Sequence, residues 1–354
     1  MADRLNFLHG GNIYQIKRMY DKENIIDFSA NINPLGLNEN LKQEIIKCID
    51  KIIYYPDITN FELLEALAEY WNIRKENILL GNGSTELIYL VINAFNPKKV
   101  MIPVPTFCEY ERAAKIINSK IHFLKLKEEE GFSLNTVSSD INSDMVFICN
   151  PNNPTGNLLL KNQRLPFKNS SVIVIDETCM DFLPGEREHT MVYKAISDKR
   201  LIVLRSFTKF FALPGLRIGY LIAHKDVINF LQKRQPPWNI NIIAQVAAKF
   251  ILNDKEYIQK TKVFIEKERR FLFEKILNIK GLIPFPSVTN FILIKIRNNN
   301  SCYLTKKLIK DYGILIRDCS NFRGLSNNKF IRVAIRLHSE NVKLINVLSN
   351  LKLV

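Results

Sequence analysis

Ser206-Phe207-Thr208-Lys209-Phe210-Phe211-Ala212-Leu213-Pro214-Gly215-Leu216-Arg217 is the stretch from which the fold is read. It follows the apolar run Leu201-Ile202-Val203-Leu204, which reads as a buried strand. A lysine set among hydroxyls just past such a strand can act as a Schiff-base nucleophile once it is desolvated near other cations. A second apolar run, Val172-Ile173-Val174-Ile175, ends in Asp176-Glu177. Open α/β sheets bind ligands at the carboxyl ends of their strands, so a carboxylate there points to a site.

Further motifs lie upstream in the same setting. Phe147-Ile148-Cys149 runs into Asn150-Pro151-Asn152-Asn153-Pro154-Thr155-Gly156, where prolines fix the loop and Asn153 can hydrogen-bond a phenolic oxygen. Pro105-Thr106-Phe107 follows a short apolar run, and Phe107 can stack on an aromatic ring. Gly81-Asn82-Gly83-Ser84-Thr85-Glu86 opens a helix after Ile78-Leu79-Leu80. Its glycines and unsatisfied N–H groups suit an anion, although alone such a turn is commonplace. Together these supply a carboxylate for a pyridinium nitrogen, a lysine for an aldehyde, and an arginine with hydroxyls for a phosphate. Pyridoxal 5'-phosphate requires that set.

The 354 residues are 47% hydrophobic, enough for a large core and more than one domain. No apolar run approaches the ~20 residues of a membrane span. Met1-Ala2-Asp3-Arg4-Leu5-Asn6 lacks an apolar signal core, so a cytoplasmic protein without membrane contact is expected. Six cysteines form no CxxC pair, which argues for buried thiols and against a metal site. Net charge is +15, from 50 Lys and Arg against 35 Asp and Glu. The basic residues are dispersed, so no nucleic-acid partner is expected; the charge can help to attract an anionic substrate.

Residues 1–38 read as an irregular arm rich in turn chemistry. Helical spacing over 40–52, 60–72 and 84–95 then alternates with short strands, the pattern of a mostly parallel sheet covered on both faces. Thr59 or Asn60 is a candidate cap for the second helix. This large domain spans 39–236 and ends at Gln235-Pro236. Linking helices near 240–252 and 255–278 lead to a smaller α+β region, so 237–354 forms the second unit. Its strands are placed near 290–296, 313–317 and 330–335.

Asn153-Pro154-Thr155-Gly156, Asp176, Ser206-x-x-Lys209 and Arg217 in this order resemble the fold-type-I pyridoxal-phosphate enzymes of the aspartate-aminotransferase superfamily. The resemblance implies an α/β fold and a covalent cofactor link at Lys209, the catalytic residue. It also implies that Asp176 pairs with the ring nitrogen, Asn153 meets the ring hydroxyl and Phe107 stacks on the ring. Gly83, Ser84, Thr85, Ser206, Thr208 and Arg217 would cradle the phosphate. Tyr55, in Tyr54-Tyr55-Pro56-Asp57, resembles the tyrosine that reaches a neighbouring subunit's phosphate, which implies a homodimer. The family often has a tyrosine three residues after the aspartate; here that position is Cys179.

Within the superfamily, His9-Gly10-Gly11-Asn12, Ser29-Ala30-Asn31-Ile32-Asn33-Pro34-Leu35-Gly36, Gln235-Pro236-Pro237-Trp238-Asn239 and Arg332-Val333-Ala334-Ile335-Arg336 are similar to the threonine-phosphate decarboxylases of cobalamin synthesis. Histidinol-phosphate aminotransferases share the cofactor motifs but usually lack His-Gly-Gly-Asn. By this resemblance His9, Gly10, Asn31, Asn153, Arg317 and Arg332 bind substrate. The expected reaction is decarboxylation of L-threonine O-3-phosphate. Serine phosphate as substrate, or histidinol-phosphate transamination, are the alternatives.

Overall fold

The computed structural model describes residues 9–134, 142–160, 163, 165, 171–325 and 327–351. The opening residues read above for a signal core lie outside this set. In chain order the strands are β1 (Ile26–Asp27), β2 (Ile78–Gly81), β3 (Lys99–Val104), β4 (Lys120–Lys125), β5 (Met145–Cys149), β6 (Val172–Asp176), β7 (Leu201–Ser206) and β8 (Gly219–Ala223). They continue with β9 (Leu282–Pro284), β10 (Phe291–Ile296), β11 (Ile314–Leu315), β12 (Arg317–Asp318) and β13 (Phe330–Ala334).

Among the described residues a seven-stranded sheet runs in the order β2-β8-β7-β6-β5-β3-β4. Five neighbouring strands are parallel, and β8 runs antiparallel to both β7 and β2. Both faces are covered, which explains the unbroken apolar runs. Phe147, Val174 and Ile202 pack into one core cluster. Their neighbours Ile148, Ile175 and Val203 pack into another on the opposite face. The second sheet is antiparallel, ordered β12-β13-β10-β9. The α/β architecture, a large mixed and mostly parallel sheet with a smaller antiparallel one, is the expected one.

Three expectations are corrected. The arm is not irregular throughout: Ile13–Tyr20 forms helix α1, and β1 pairs in parallel with β11. Ile16 and Leu315 share a small core cluster that ties the arm to the second sheet. The strand expected near 313–317 is split, because β11 pairs with the arm while β12 pairs with β13. Helices α2 (Glu39–Cys48) and α3 (Phe61–Trp71) match their periodicity, and Asn60 occupies the N-cap position of α3, but its side chain makes no capping bond. Asp57 supplies that bond by accepting from the Phe61 N–H at 2.8 Å and from Thr59. A carboxylate outcompetes a hydroxyl for exposed N–H groups at a helix start.

The carboxyl ends of β6 and β7 are clamped by buried charge. Arg205 donates to Glu177 at 3.0 Å and to Asp181 at 2.6 Å, and lies 4.8 Å from the Trp71 ring centroid. Glu177 also accepts from Thr190 Oγ1 and the Met191 N–H. Burial pushes both carboxyls upward, and the guanidinium opposes it. Arg205→Met strands two buried carboxylates. It is expected to destabilise the protein by about 3–5 kcal/mol, seen as a lower thermal midpoint in calorimetry. An unchanged midpoint would show that the cluster contributes nothing.

Candidate active site

The site forms where the parallel strands end. Register pairs Cys149 with Asp176, and Asp176 with Leu204. The loops after β5, β6 and β7 therefore emerge side by side, bringing Asn153, Asp176 and Lys209 to one edge. The loop after β7 is pinned by its aromatics. Phe207, Phe210 and Phe211 are buried; Phe207 packs on Tyr220 and Phe210 on Phe182. Lys209, between them, is left facing a cavity of about 180 Å³. The arm secures the same loop. The Asn33 N–H donates to the Lys209 carbonyl at 3.0 Å, and Asn33 Nδ2 donates to the Phe210 carbonyl at 2.8 Å.

His9, Gly10, Asn31, Phe107, Asn153, Lys209, Arg317 and Arg332 all line this cavity, joining elements from the arm and both sheets. Arg332 donates to Asn153 Oδ1 and to the Ser29 carbonyl, the latter at 2.7 Å. Its Nε, like Asn31 Oδ1, is buried with no hydrogen-bond partner among the described residues. Burial pulls Arg332 down to about 10 and lowers Arg317 as well. Arg317 and Arg332 are direct cross-strand partners on β12 and β13. Like charges so placed repel, and an anion between them relieves the repulsion.

Asp176 is only 3% exposed. Its Oδ2 accepts from Tyr110 Oη at 2.5 Å and its Oδ1 from the Thr178 N–H at 3.0 Å. Burial, and then the charge of Asp176, pushes Tyr110 well above its ordinary range, so it remains the donor. Cys179 is buried beside Lys209, Asp176 and Arg332, and burial raises its thiol. The phosphate-type residues gather nearby, at the start of helix α4 (Gly83–Phe95). Gly83 has φ +80°, and a Cβ there would collide with the Arg217 guanidinium. Gly219, paired with Ser206, would place a Cβ 2.8 Å from the Ser84 nitrogen. Ser206 and Thr208 hydroxyls lie 2.8 Å apart. Bare backbone N–H groups at a helix start, two hydroxyls and a guanidinium form an anion cradle. Thr85 follows in the first turn of α4.

Asp176 and the cradle residues Gly83, Ser84, Thr85, Ser206, Thr208 and Arg217 are not part of the cavity lining, and Tyr55 lies on the surface away from it. It is 80% exposed and packs on Trp238 at 4.9 Å between ring centroids. Sequence reasoning missed Tyr110, Asn33 and Glu109. Tyr110 directly follows the Phe107-Cys108-Glu109 segment, and Asn33 lies inside a motif that was read, yet their partners are remote in sequence.

The family described as aminotransferase class I and II matches residues 23–347. The chain belongs to that family. It is 39% identical over 97% of its length to a provisionally named threonine-phosphate decarboxylase of Caldanaerobacter subterraneus subsp. tengcongensis, of which 93% is covered. It is 35% identical to the threonine-phosphate decarboxylase of Salmonella typhimurium, over 98% of this chain and 96% of that one. Among solved structures, histidinol-phosphate aminotransferase from Clostridium acetobutylicum superimposes with a TM-score of 0.82 at 33% identity. That match covers 91% of this chain and 97% of the other.

The chain is thus a pyridoxal-phosphate-dependent enzyme of the aminotransferase and decarboxylase superfamily, and its residues fit the cofactor. The cradle that a Cβ at Gly83 would fill suits a phosphate, and the Asp176 carboxylate suits a pyridinium nitrogen. Gly83→Ala is expected to weaken pyridoxal phosphate binding about tenfold or more, at least ~1.4 kcal/mol. Absorbance titration of the apoprotein checks this; unchanged affinity would remove Gly83 and Arg217 from the cradle.

Proposed function

We propose that the enzyme decarboxylates L-threonine O-3-phosphate to (R)-1-amino-2-propanol O-2-phosphate for cobalamin biosynthesis. The observation that carries this reading is the pair of buried arginines, Arg317 and Arg332, held opposite one another at the Lys209 cavity. A phosphorylated amino acid brings two anionic groups, and a guanidinium matches either through its planar fork. Similarity to the Salmonella typhimurium decarboxylase supports the same reading.

In this reading Lys209 carries the cofactor and Asp176 holds its ring nitrogen. Asn153, its carbonyl taken by Arg332, offers its N–H2 end to the ring hydroxyl. Phe107 would lie against the ring, and Gly83, Ser84, Thr85, Ser206, Thr208 and Arg217 would hold the phosphate. When bound, the cofactor supplies an electron sink for the pair released when a bond to Cα breaks. Arg332 grips the substrate carboxylate and orients it so that this is the bond that breaks. Arg317, with His9, Gly10 and Asn31, holds the substrate phosphate, whose binding energy fixes that orientation. Carbon dioxide leaves, and Lys209, released in exchange for the substrate amine and protonated, would donate the proton to Cα.

A homodimer completes the proposal. Ile49, Ile52, Ile53, Tyr54, Tyr55 and Trp238 leave an exposed apolar surface that suits a second copy, through which Tyr55 would reach the neighbouring cofactor phosphate. Sedimentation should give a dimer, and Ile53→Asp should give inactive monomers; an active monomer would contradict it.

The decisive experiment incubates the reconstituted enzyme separately with threonine phosphate and serine phosphate and measures carbon dioxide and amine. Threonine phosphate is expected to be preferred. Arg332→Ala should lower kcat about 100-fold, the scale of a lost orientation. Preference for serine phosphate would change the substrate and keep the reaction. Likeness to the Clostridium acetobutylicum aminotransferase favours a second reading. Amino transfer between histidinol phosphate and 2-oxoglutarate, without carbon dioxide, would establish that one.

A further inference from the structure

Glu109 opens helix α5 (Glu109–Ile116), directly after Phe107 and Cys108, and no step above uses it. Its side chain is 5% exposed and carries four partners, one of them the Cys108 thiol 3.8 Å from Oε1. Oε1 lies 2.8 Å from His9 Nε2 and accepts from Arg112 at 2.8 Å, while Oε2 accepts from Tyr89 Oη at 2.7 Å. Burial alone would raise this carboxyl, but the contacts to His9, Tyr89 and Arg112 outweigh it and hold it down at about 2. Glu109 is therefore an anion throughout the working pH range. A carboxylate only accepts, so the Nε2 it faces carries the proton.

His9 keeps 42% of its side chain exposed but is held by several contacts. Its ring lies 5.7 Å from the Phe107 ring, its carbonyl accepts from Asn12 Nδ2 at 2.7 Å, and the following Gly10 is wedged against the Ser29 backbone. The charged and titratable groups around it are Cys108 just before α5, Glu109 at its start, Arg112 and Tyr89 behind Glu109, Arg317 and Asp318 on β12, and Lys209 and Arg332 in the same cavity. Cys108 Sγ stands 4.0 Å from Nδ1.

We propose that Glu109 is a positioning residue that holds His9 as an imidazolium over the Lys209 cavity, so that the cavity selects a substrate whose remote group is a dianionic phosphate. This rests on His9 being a substrate contact, as read above. The charge count supports it. With Lys209 committed to the cofactor, Arg317, Arg332 and a charged His9 leave three cations facing one cavity. A carboxylate answers one of them, and the remaining two match a phosphate dianion. A neutral His9 would leave a site equally suited to a singly charged group. Contacts with Cys108 and Glu109, opposed by burial, raise His9 from 6.5 to about 9. Of the two, the carboxylate is closer and ionised, and charge-assisted bonds are the stronger ones.

The sign follows directly. With His9 raised to about 9, the imidazolium persists below that pH and is lost as pH rises through it. Glu109→Gln removes the ionised partner and lowers His9 from about 9 towards 6.5, while the Cys108 contact remains. A full return would cut the charged fraction about 30-fold at pH 8 and hardly change it at pH 5.5, which sets the upper limit of the effect. For the holoenzyme, KM for threonine phosphate relative to wild type should rise severalfold, up to about that limit, at pH 8, return to the wild-type value at pH 5.5, and leave kcat nearly unchanged. Inhibition by inorganic phosphate, a probe that needs no assumption about the reaction, should weaken in parallel.

A loss equal at both pH values, or confined to kcat, would overturn the proposal, because damage to packing has no reason to be repaired by acid. Should the variant fail to fold, histidine NMR of the wild-type holoenzyme decides the matter. His9, assigned through His9→Asn, is expected to titrate near 9, and titration near 6.5 would overturn the inference. If no phosphorylated amino acid is decarboxylated while inorganic phosphate still binds and follows His9, the substrate reading fails and the role of Glu109 stands.

Discussion

Two guanidinium groups fixed opposite each other in a dry sheet are the constraint around which this molecule is arranged. Arg317 and Arg332 cannot move apart, because backbone hydrogen bonds of β12 and β13 set their spacing. Burying each cation costs several kcal/mol, and direct opposition adds ~0.2–1 kcal/mol more. Arg332 donates to an amide oxygen and a backbone carbonyl, neither of which neutralises its charge. The small sheet thus stores a positive potential beside Lys209, and an anionic ligand discharges it.

The large sheet answers that arrangement with fixed acceptors and donors. Asp176 sits at the end of β6 and is tied to Tyr110 and Thr178, while its neighbour Glu177 is locked to Arg205. The two adjacent acids therefore differ in kind. One faces the site with a tyrosine as its donor; the other anchors the strand ends from behind. Rigid support of this sort keeps catalytic groups in place at low conformational cost.

The arm joins the two halves. Its β1 pairs with β11 of the smaller unit, its Asn33 grips the Lys209 loop, and its His9 meets α5 of the larger unit through Glu109. The cavity lining drawn from arm, loop and strand depends on these links, so the arm carries as much of the site's geometry as the sheets do.

The strands of the large sheet were legible in the sequence because a strand buried on both faces must be apolar at every position, as in Val172–Ile175 and Leu201–Leu204. The residues proposed to hold the cofactor could be picked out because their chemistry is local: a lysine between hydroxyls after a strand, an aspartate ending another, a glycine opening a helix. Helix α1 and strand β1 were not, since the arm has little periodicity of its own and takes its order from β11 and Leu315. Nor could sequence reveal that Arg317 faces Arg332, that Tyr110 caps Asp176, or that Glu109 meets His9 from 100 positions away. Residue type and spacing along the chain determined which chemistry was present. Only the tertiary structure decided which groups meet, because sheet register and burial, neither encoded in any short segment, set the distances on which charge and hydrogen bonding depend.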